Sequence, residues 1–221
     1  VNRKNGEGAG HPMTHGFDKD YWERHWHQAH RTGPVDRSAP HPYLDRETSD
    51  LVPGTALDAG CGAGAEAVWL ASRGWQVTAA DIAPEALARA AERATTSEVS
   101  DRVRFIEADL TVWEPDTRFD LVTTHYAHPA MPHLAFYDRI SAWVAPGGTL
   151  LVVGHLHTSG TTGHGHHPPA EASVTLADIT AGLDSTRWEI VTAEEHARAV
   201  TGPEGQAVPL YDVVVRAARR A

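Results

Sequence analysis

The sequence predicts an α/β fold: a doubly wound, mostly parallel sheet that finishes on a C-terminal antiparallel hairpin. Three observations carry this. Between residues 55 and 153, short apolar runs alternate with amphipathic helical stretches. A glycine loop, Gly60-Cys61-Gly62-Ala63-Gly64, falls at the first strand-to-helix turn. The last two apolar runs, Trp188–Thr192 and Val208–Arg216, are joined by a stretch whose clear turn signal is Thr201–Gly205. A connection that short permits antiparallel pairing and not a crossover.

The elements follow in order. Residues 1–16 are polar and Gly-rich and read as a disordered lead-in. The chain opens on Val1, so a non-ATG start or a start at Met13 is expected. Residues 17–31 read as a short helix with Asp18 or Asp20 as N-cap and an aromatic face of Tyr21, Trp22 and Trp26. Residues 32–50 hold Pro34, Pro40 and Pro42 and read as an irregular connection. Residues 55–59 form a buried strand, 65–73 a helix closed by Gly74, and 75–80 a second strand. The helix at 84–94 starts on Pro84, where a missing N–H costs nothing. Strands follow at 103–107 and 119–123. The apolar spacing of Leu134, Phe136, Tyr137, Ile140 and Val144 gives a helix over 133–144, and a fifth strand covers 149–153. A His/Gly/Pro loop at 155–170 leads to a weak helix at 173–183 and then the hairpin.

Composition narrows the function. The 221 residues fit one domain, divided into an N-terminal helix and lid (17–50), a cofactor-binding core (51–154) and a substrate-side loop, helix and hairpin (155–221). A net charge of −10 disfavours nucleic acid and anionic membrane surfaces as partners. One cysteine excludes an internal disulfide or a Cys-rich zinc site. No apolar run approaches a spanning helix. A cytoplasmic protein, monomer or homodimer, acting on a small molecule is expected.

The glycine loop reads Leu57-Asp58-Ala59-Gly60-Cys61-Gly62-Ala63-Gly64. Gly60, Gly62 and Ala65 also satisfy a dinucleotide pattern, and Asp81 closes the second strand, so NAD is a first candidate. Asp58 argues against it, because a carboxylate beside the glycine turn repels a pyrophosphate. A cofactor with a cationic head, such as S-adenosylmethionine, reverses the sign.

Residues 55–154 resemble the class I S-adenosylmethionine-dependent methyltransferases. The ordered motifs are Leu57–Gly64, Val77–Ile82 (VTAADI), Phe105–Leu110 (FIEADL), Phe119–Val122 (FDLV) and Val144–Leu150 (VAPGGTL). The last departs from the family pattern only in Ala145 before the proline. The compact form and the Trp-rich early helix look most like the tellurite-resistance and thiol/thiopurine types, or like small tailoring methyltransferases of natural-product pathways. The resemblance implies a Rossmann-like, seven-stranded sheet with the last strand antiparallel. It implies S-adenosylmethionine as cofactor and S-adenosylhomocysteine as product. It implies cofactor contacts from Asp58, Ala59, Gly60, Cys61, Gly62, Gly64, Asp81, Ile82, Asp109, Leu110, Thr124 and His125, with Trp22 and Trp26 in a lid. In that family the acid at Asp81 takes the ribose hydroxyls and the one at Asp109 the adenine amino group, while Leu110 packs on the ring. Cys61 reads as packing.

Catalytic candidates follow from topology, since ligands lie beyond the carboxyl ends of the strands. His125 and His128 follow the fourth strand and His155 the fifth. Each has the chemistry of a general base for a protic nucleophile, whereas a thiolate or chalcogen oxyanion needs little base. The chain holds 15 histidines, five of them in 155–167. That tract reads first as a solvated loop with adventitious metal affinity, and no required metal is expected. The competing functions are an NAD-dependent oxidoreductase and a non-catalytic cofactor- or metal-binding protein.

Overall fold

The computed structural model describes residues 16–32, 39–156, 173–201 and 207–221. Seven strands run in the order β3-β2-β1-β4-β5-β8-β7, and a two-residue β6 pairs with β5 off that path. They are β1 (Thr55–Ala59), β2 (Gln76–Asp81), β3 (Val103–Glu107), β4 (Phe119–His125), β5 (Val144–Leu156), β6 (Ser173–Val174), β7 (Trp188–Thr201) and β8 (Ala207–Arg219). The first five pair in parallel, while β8 runs antiparallel to both β5 and β7. The expected architecture is therefore present, with both antiparallel strands longer than their apolar runs.

Alternate residues of the central strands feed two cores, as the pleat requires. Leu57, Val122, Leu150 and Val152 point to one face with Phe136 and Ile140 of α5 (His133–Ser141) and Ile179 of α6 (Leu176–Ala181). Leu121, Leu151, Val153 and Val214 point to the other. There they meet Leu44 of α2 (Pro42–Thr48), Leu70 of α3 (Ala65–Ser72) and Leu87 of α4 (Pro84–Thr96).

Local chemistry explains the helix ends. Asp18 caps α1 (Lys19–Thr32), accepting the Tyr21 N–H at 2.9 Å. Behind α3, Gly74 takes φ +98°, and the Gly74 and Trp75 N–H groups return to Ala71 and Leu70 in a Schellman turn.

Four expectations need correction. The stretch 32–50 is not wholly irregular: Pro42 starts α2, because proline at the first helical position breaks nothing. The helix expected to reach Val144 stops at Ser141, and Val144 opens β5 by pairing with Phe119. His125 does not follow β4 but ends it, in register with Val153. His155 likewise lies inside β5, paired with Asp212 of β8. Both strands run on because neighbours are available to pair with. The turn at 202–205 and His157, His164, His166 and His167 lie outside the described residues.

Candidate functional site

The strand order reverses between β1 and β4, and a pocket opens there beyond the strand ends. Its floor is the glycine loop. Gly60, Gly62 and Gly64 all have positive φ. Asp81, the last residue of β2, ties the loop down: its carboxylate accepts the Gly62 N–H at 2.8 Å and the Ala83 N–H at 2.9 Å. Burial raises the Asp81 carboxyl, and these N–H groups oppose the shift. Each oxygen keeps a lone pair for a ligand.

The side wall comes from the turn after β3. Asp109 Oδ1 accepts the backbone N–H and the hydroxyl of Thr111, and Leu110 lies buried beside it. The roof is α1. Phe17, Trp22 and Trp26 line the pocket, and the Trp22 indole N–H donates to the His128 carbonyl at 3.2 Å. Arg89 fastens α1 to α4, donating to the Trp26 carbonyl at 3.0 Å with its guanidinium 5.3 Å from the Trp26 ring.

The far wall carries the histidines. His125 and His128 line the pocket. His155 lies one layer behind, its ring 5.7 Å from His128 and 4.6 Å from Tyr126. His128 Nδ1 meets His133 Nε2 at 3.1 Å. Burial lowers all three imidazoles, His125 and His128 to about 3 and His155 to about 4. They are neutral near pH 7.

The structure thus brings Gly60, Cys61, Gly62, Asp81, Ile82, Asp109, Leu110, His125, His128, Trp22 and Trp26 to one pocket. Asp58, Ala59, Gly64, Thr124 and His155 are not on its surface. Thr124 is buried and spends its hydroxyl on the Ala59 carbonyl at 2.8 Å. Asp58 is 1% exposed behind the loop, with Oδ2 lacking any partner. Burial first, then Glu66 and Asp81, push its carboxyl well up. Cys61 is buried and its thiol is pushed up by burial, so it is poorly suited to act as a nucleophile.

The sequence reading missed Glu66, Phe17 and Tyr126 as lining residues. Glu66 was legible in principle, as an acid in the first turn of the helix after the loop. It accepts the His41 N–H at 3.0 Å. Glu66, Asp81 and Asp109 make the lining acidic, and among the described residues no Lys or Arg joins them. This acidic lining fits a cationic ligand and opposes a pyrophosphate. Among the described residues, no group of His, Cys, Asp or Glu is arranged to hold a metal ion.

Residues 56–148 match the family model described as a methyltransferase domain. The chain is 31% identical to probable thiol methyltransferase 2 of Arabidopsis thaliana over 60% of each chain. It is 35% identical to trans-aconitate 2-methyltransferase of Streptomyces avermitilis, over 56% of this chain and 46% of that one. It therefore spans between about half and three-fifths of these two relatives. Magnesium protoporphyrin IX methyltransferase from Synechocystis PCC 6803, solved with S-adenosylhomocysteine bound, superposes with a TM-score of 0.68. That likeness covers 92% of this chain and 98% of that one at 18% identity, a similarity of fold.

Proposed function

We propose that the chain is a class I S-adenosylmethionine-dependent methyltransferase that transfers a methyl group from S-adenosylmethionine to a small-molecule nucleophile, a reading that the methyltransferase-domain match and the methyltransferase relatives support. The observation that carries this reading is the acidic pocket under an aromatic roof, with Glu66, Asp81 and Asp109 in its lining. When bound, the cofactor supplies the methyl group and leaves as S-adenosylhomocysteine.

The residues divide the work. Asp81 and Asp109 offer carboxylate oxygens to hydroxyl and amino donors, and Leu110 offers an apolar surface to a flat ring. Gly60 and Gly62 let backbone approach the ligand. Phe17, Trp22 and Trp26 exclude water and give a cation ring faces to lie against. His125 and His128 face the remaining space and orient the acceptor, the main requirement of an in-line displacement.

Neutral imidazoles lowered this far are weak bases at pH 7. The site therefore favours an acceptor that arrives as an anion or parts readily with its proton, such as a thiolate or a chalcogen oxyanion. The two relatives described above are named for unlike acceptors, a thiol and trans-aconitate, so the acceptor rests on this chain's own pocket. We assign the protein to the cytoplasm as a monomer or homodimer, without nucleic-acid or membrane partners. The net charge of −10 disfavours phosphate backbones and anionic membrane surfaces as partners, and no described helix is long and apolar enough to cross a membrane.

The test is release of S-adenosylhomocysteine with a panel of thiols, chalcogen oxyanions, phenols and amines. Turnover confined to the first two classes is expected. Turnover on amines or phenols alone would overturn the acceptor assignment. Silence across the panel from a protein that binds the cofactor would favour the non-catalytic reading.

A further inference from the structure

The loop after β4 brings two imidazoles together. His128 lies in that loop, and His133 is the first residue of α5. Pro129 follows the one and Pro132 precedes the other, so φ is fixed at both ends of the short span between them. The rings meet at 3.1 Å, His128 Nδ1 against His133 Nε2, with their planes at 63°. His133 is buried, and its ring lies 6.1 Å from that of Tyr137, one helical turn further on. The His128 ring is flanked by the Phe17 ring at 5.4 Å and the His155 ring at 5.7 Å. Its backbone carbonyl accepts the Trp22 indole N–H. With Nδ1 turned to His133, Nε2 is the ring nitrogen that His128 has left for the pocket it lines.

The contact between the two rings holds a single proton. A hydrogen bond between ring nitrogens needs one N–H and one lone pair. His128 is neutral near pH 7 and carries one ring proton. If His128 gives that proton to the contact, its Nε2 turns a lone pair to the pocket. If His133 gives the proton, His128 Nδ1 is the acceptor and the His128 proton sits on Nε2. Two observations select the second arrangement. The first backbone bond of α5 runs from the Phe136 N–H to the Pro132 carbonyl, so the N–H groups of His133, Leu134 and Ala135 find no acceptor inside the helix. They make this end of the helix positive. Nδ1 is the His133 ring nitrogen nearer the backbone, and there a lone pair is favoured over a proton. The proton of His133 is thereby left on Nε2. On the other side, Glu66, Asp81 and Asp109 make the pocket lining acidic, a field that favours an N–H over a lone pair on the nitrogen facing it.

We propose that His133 is a positioning residue: its Nε2–H donates to His128 Nδ1 and holds His128 in the tautomer whose Nε2–H offers a hydrogen bond to the methyl acceptor. His128 is then a donor and not a base, since its pocket-side nitrogen already carries the proton. Among the described residues no Lys or Arg lines the pocket, so a neutral N–H is what this wall offers an anion. A thiolate or a chalcogen oxyanion accepts such a bond and has no proton to lose. A phenol or an amine would need that proton removed, and this nitrogen does not take it. The role toward the acceptor rests on the methyl-transfer reading. The tautomer does not.

Nitrogen NMR of the imidazole rings in the cofactor-free chain at neutral pH tests the tautomer. Wild-type His128 should show a protonated Nε2 and a bare Nδ1. A protonated Nδ1 in the wild type would overturn the proposal. His133→Phe keeps a ring and removes the donor, so a share of His128 protonated on Nδ1 should appear. His133→Gln retains an N–H donor on its side chain and should restore the wild-type pattern. With an acceptor from the panel, His133→Phe should raise the acceptor KM about tenfold, the size of one ordinary hydrogen bond, and His133→Gln should raise it less. The affinity for S-adenosylhomocysteine should stay as in wild type in both variants. An unchanged His128 pattern in His133→Phe would overturn the proposal, as would an equal rise in acceptor KM in the two variants. If His133→Phe does not fold, the wild-type ring signals and His133→Gln still decide. Failure of the wild-type chain to bind S-adenosylhomocysteine would instead overturn the functional reading and leave the ring signals to judge the tautomer.

Discussion

The Ala127 side chain occupies the place that a side chain on Gly60 would need: a Cβ built on Gly60 lies 2.5 Å from the Ala127 Cβ. Gly60 also has φ +82°, so two independent constraints require glycine there. Gly60→Ala should lower stability by about 1–3 kcal/mol from backbone strain alone and displace the loop after β4. Its affinity for S-adenosylhomocysteine should fall at least roughly tenfold, about 1.4 kcal/mol. Adding Ala127→Gly removes the collision but not the strain, so recovery should be partial. Calorimetric titration and thermal unfolding check both variants. Wild-type affinity in Gly60→Ala would exclude this contact from the site.

Asp81 has two duties, and its removal should expose both. Its carboxylate holds the Gly62 and Ala83 N–H groups and faces the pocket. Each hydrogen bond to a charged acceptor is worth about 1.5–3 kcal/mol, so Asp81→Ala should weaken cofactor binding by roughly 10–100-fold or more. Titration of the variant with S-adenosylhomocysteine measures this.

Asp58 is a buried carboxylate with a partnerless oxygen and acids for neighbours. Asp58→Asn keeps the shape and removes a carboxyl whose ionisation the fold opposes, so at neutral pH the cofactor-free protein should unfold at a higher temperature. The same change removes attraction for a cationic ligand. The rise in Tm produced by S-adenosylmethionine should therefore be smaller in the variant. Equal stabilisation of both proteins would separate Asp58 from ligand binding.

The three lowered imidazoles make stability depend on pH. Unfolded, they take up protons below about pH 6.5. Folded, His125 and His128 do so only near 3 and His155 near 4. Their contribution to stability is full above pH 6.5 and is lost as pH falls through 4 toward 3. Asp58, with its raised carboxyl, works in the opposite sense, so the comparison is between variants. His128→Asn should lose less Tm than wild type between pH 7 and pH 5. Identical losses would mean that His128 takes up protons alike in the folded and unfolded chain.

Much of this was legible because the informative residues act locally. The glycine loop needs positive φ at fixed spacing, Asp81 ends a strand beside it, and Pro84 starts a helix, so short windows suffice. The strand ends were harder to read. Thr124, His125 and His155 extend their strands because partners arrive from elsewhere in the chain, and local propensity cannot register a distant partner. Thr124 lies off the pocket lining for the same reason: its hydroxyl answers a carbonyl on β1, a neighbour fixed by topology. The contacts of the buried Asp212 with Tyr43 and Arg198 were illegible. Their members come from α2, β7 and β8, and only the antiparallel register gathers them. The aromatic roof was partly visible, since Trp22 and Trp26 share a helix face, whereas Phe17 lies before the helix begins.

The central claim is that the acidic pocket under the α1 aromatics accepts a cationic, phosphate-free adenosyl cofactor. Isothermal titration of the purified chain with S-adenosylmethionine and, in parallel, with NAD tests this most directly. Saturable binding of S-adenosylmethionine with stoichiometry near one, and no measurable heat from NAD, is the expected result. Saturable NAD binding without any for S-adenosylmethionine would contradict the account.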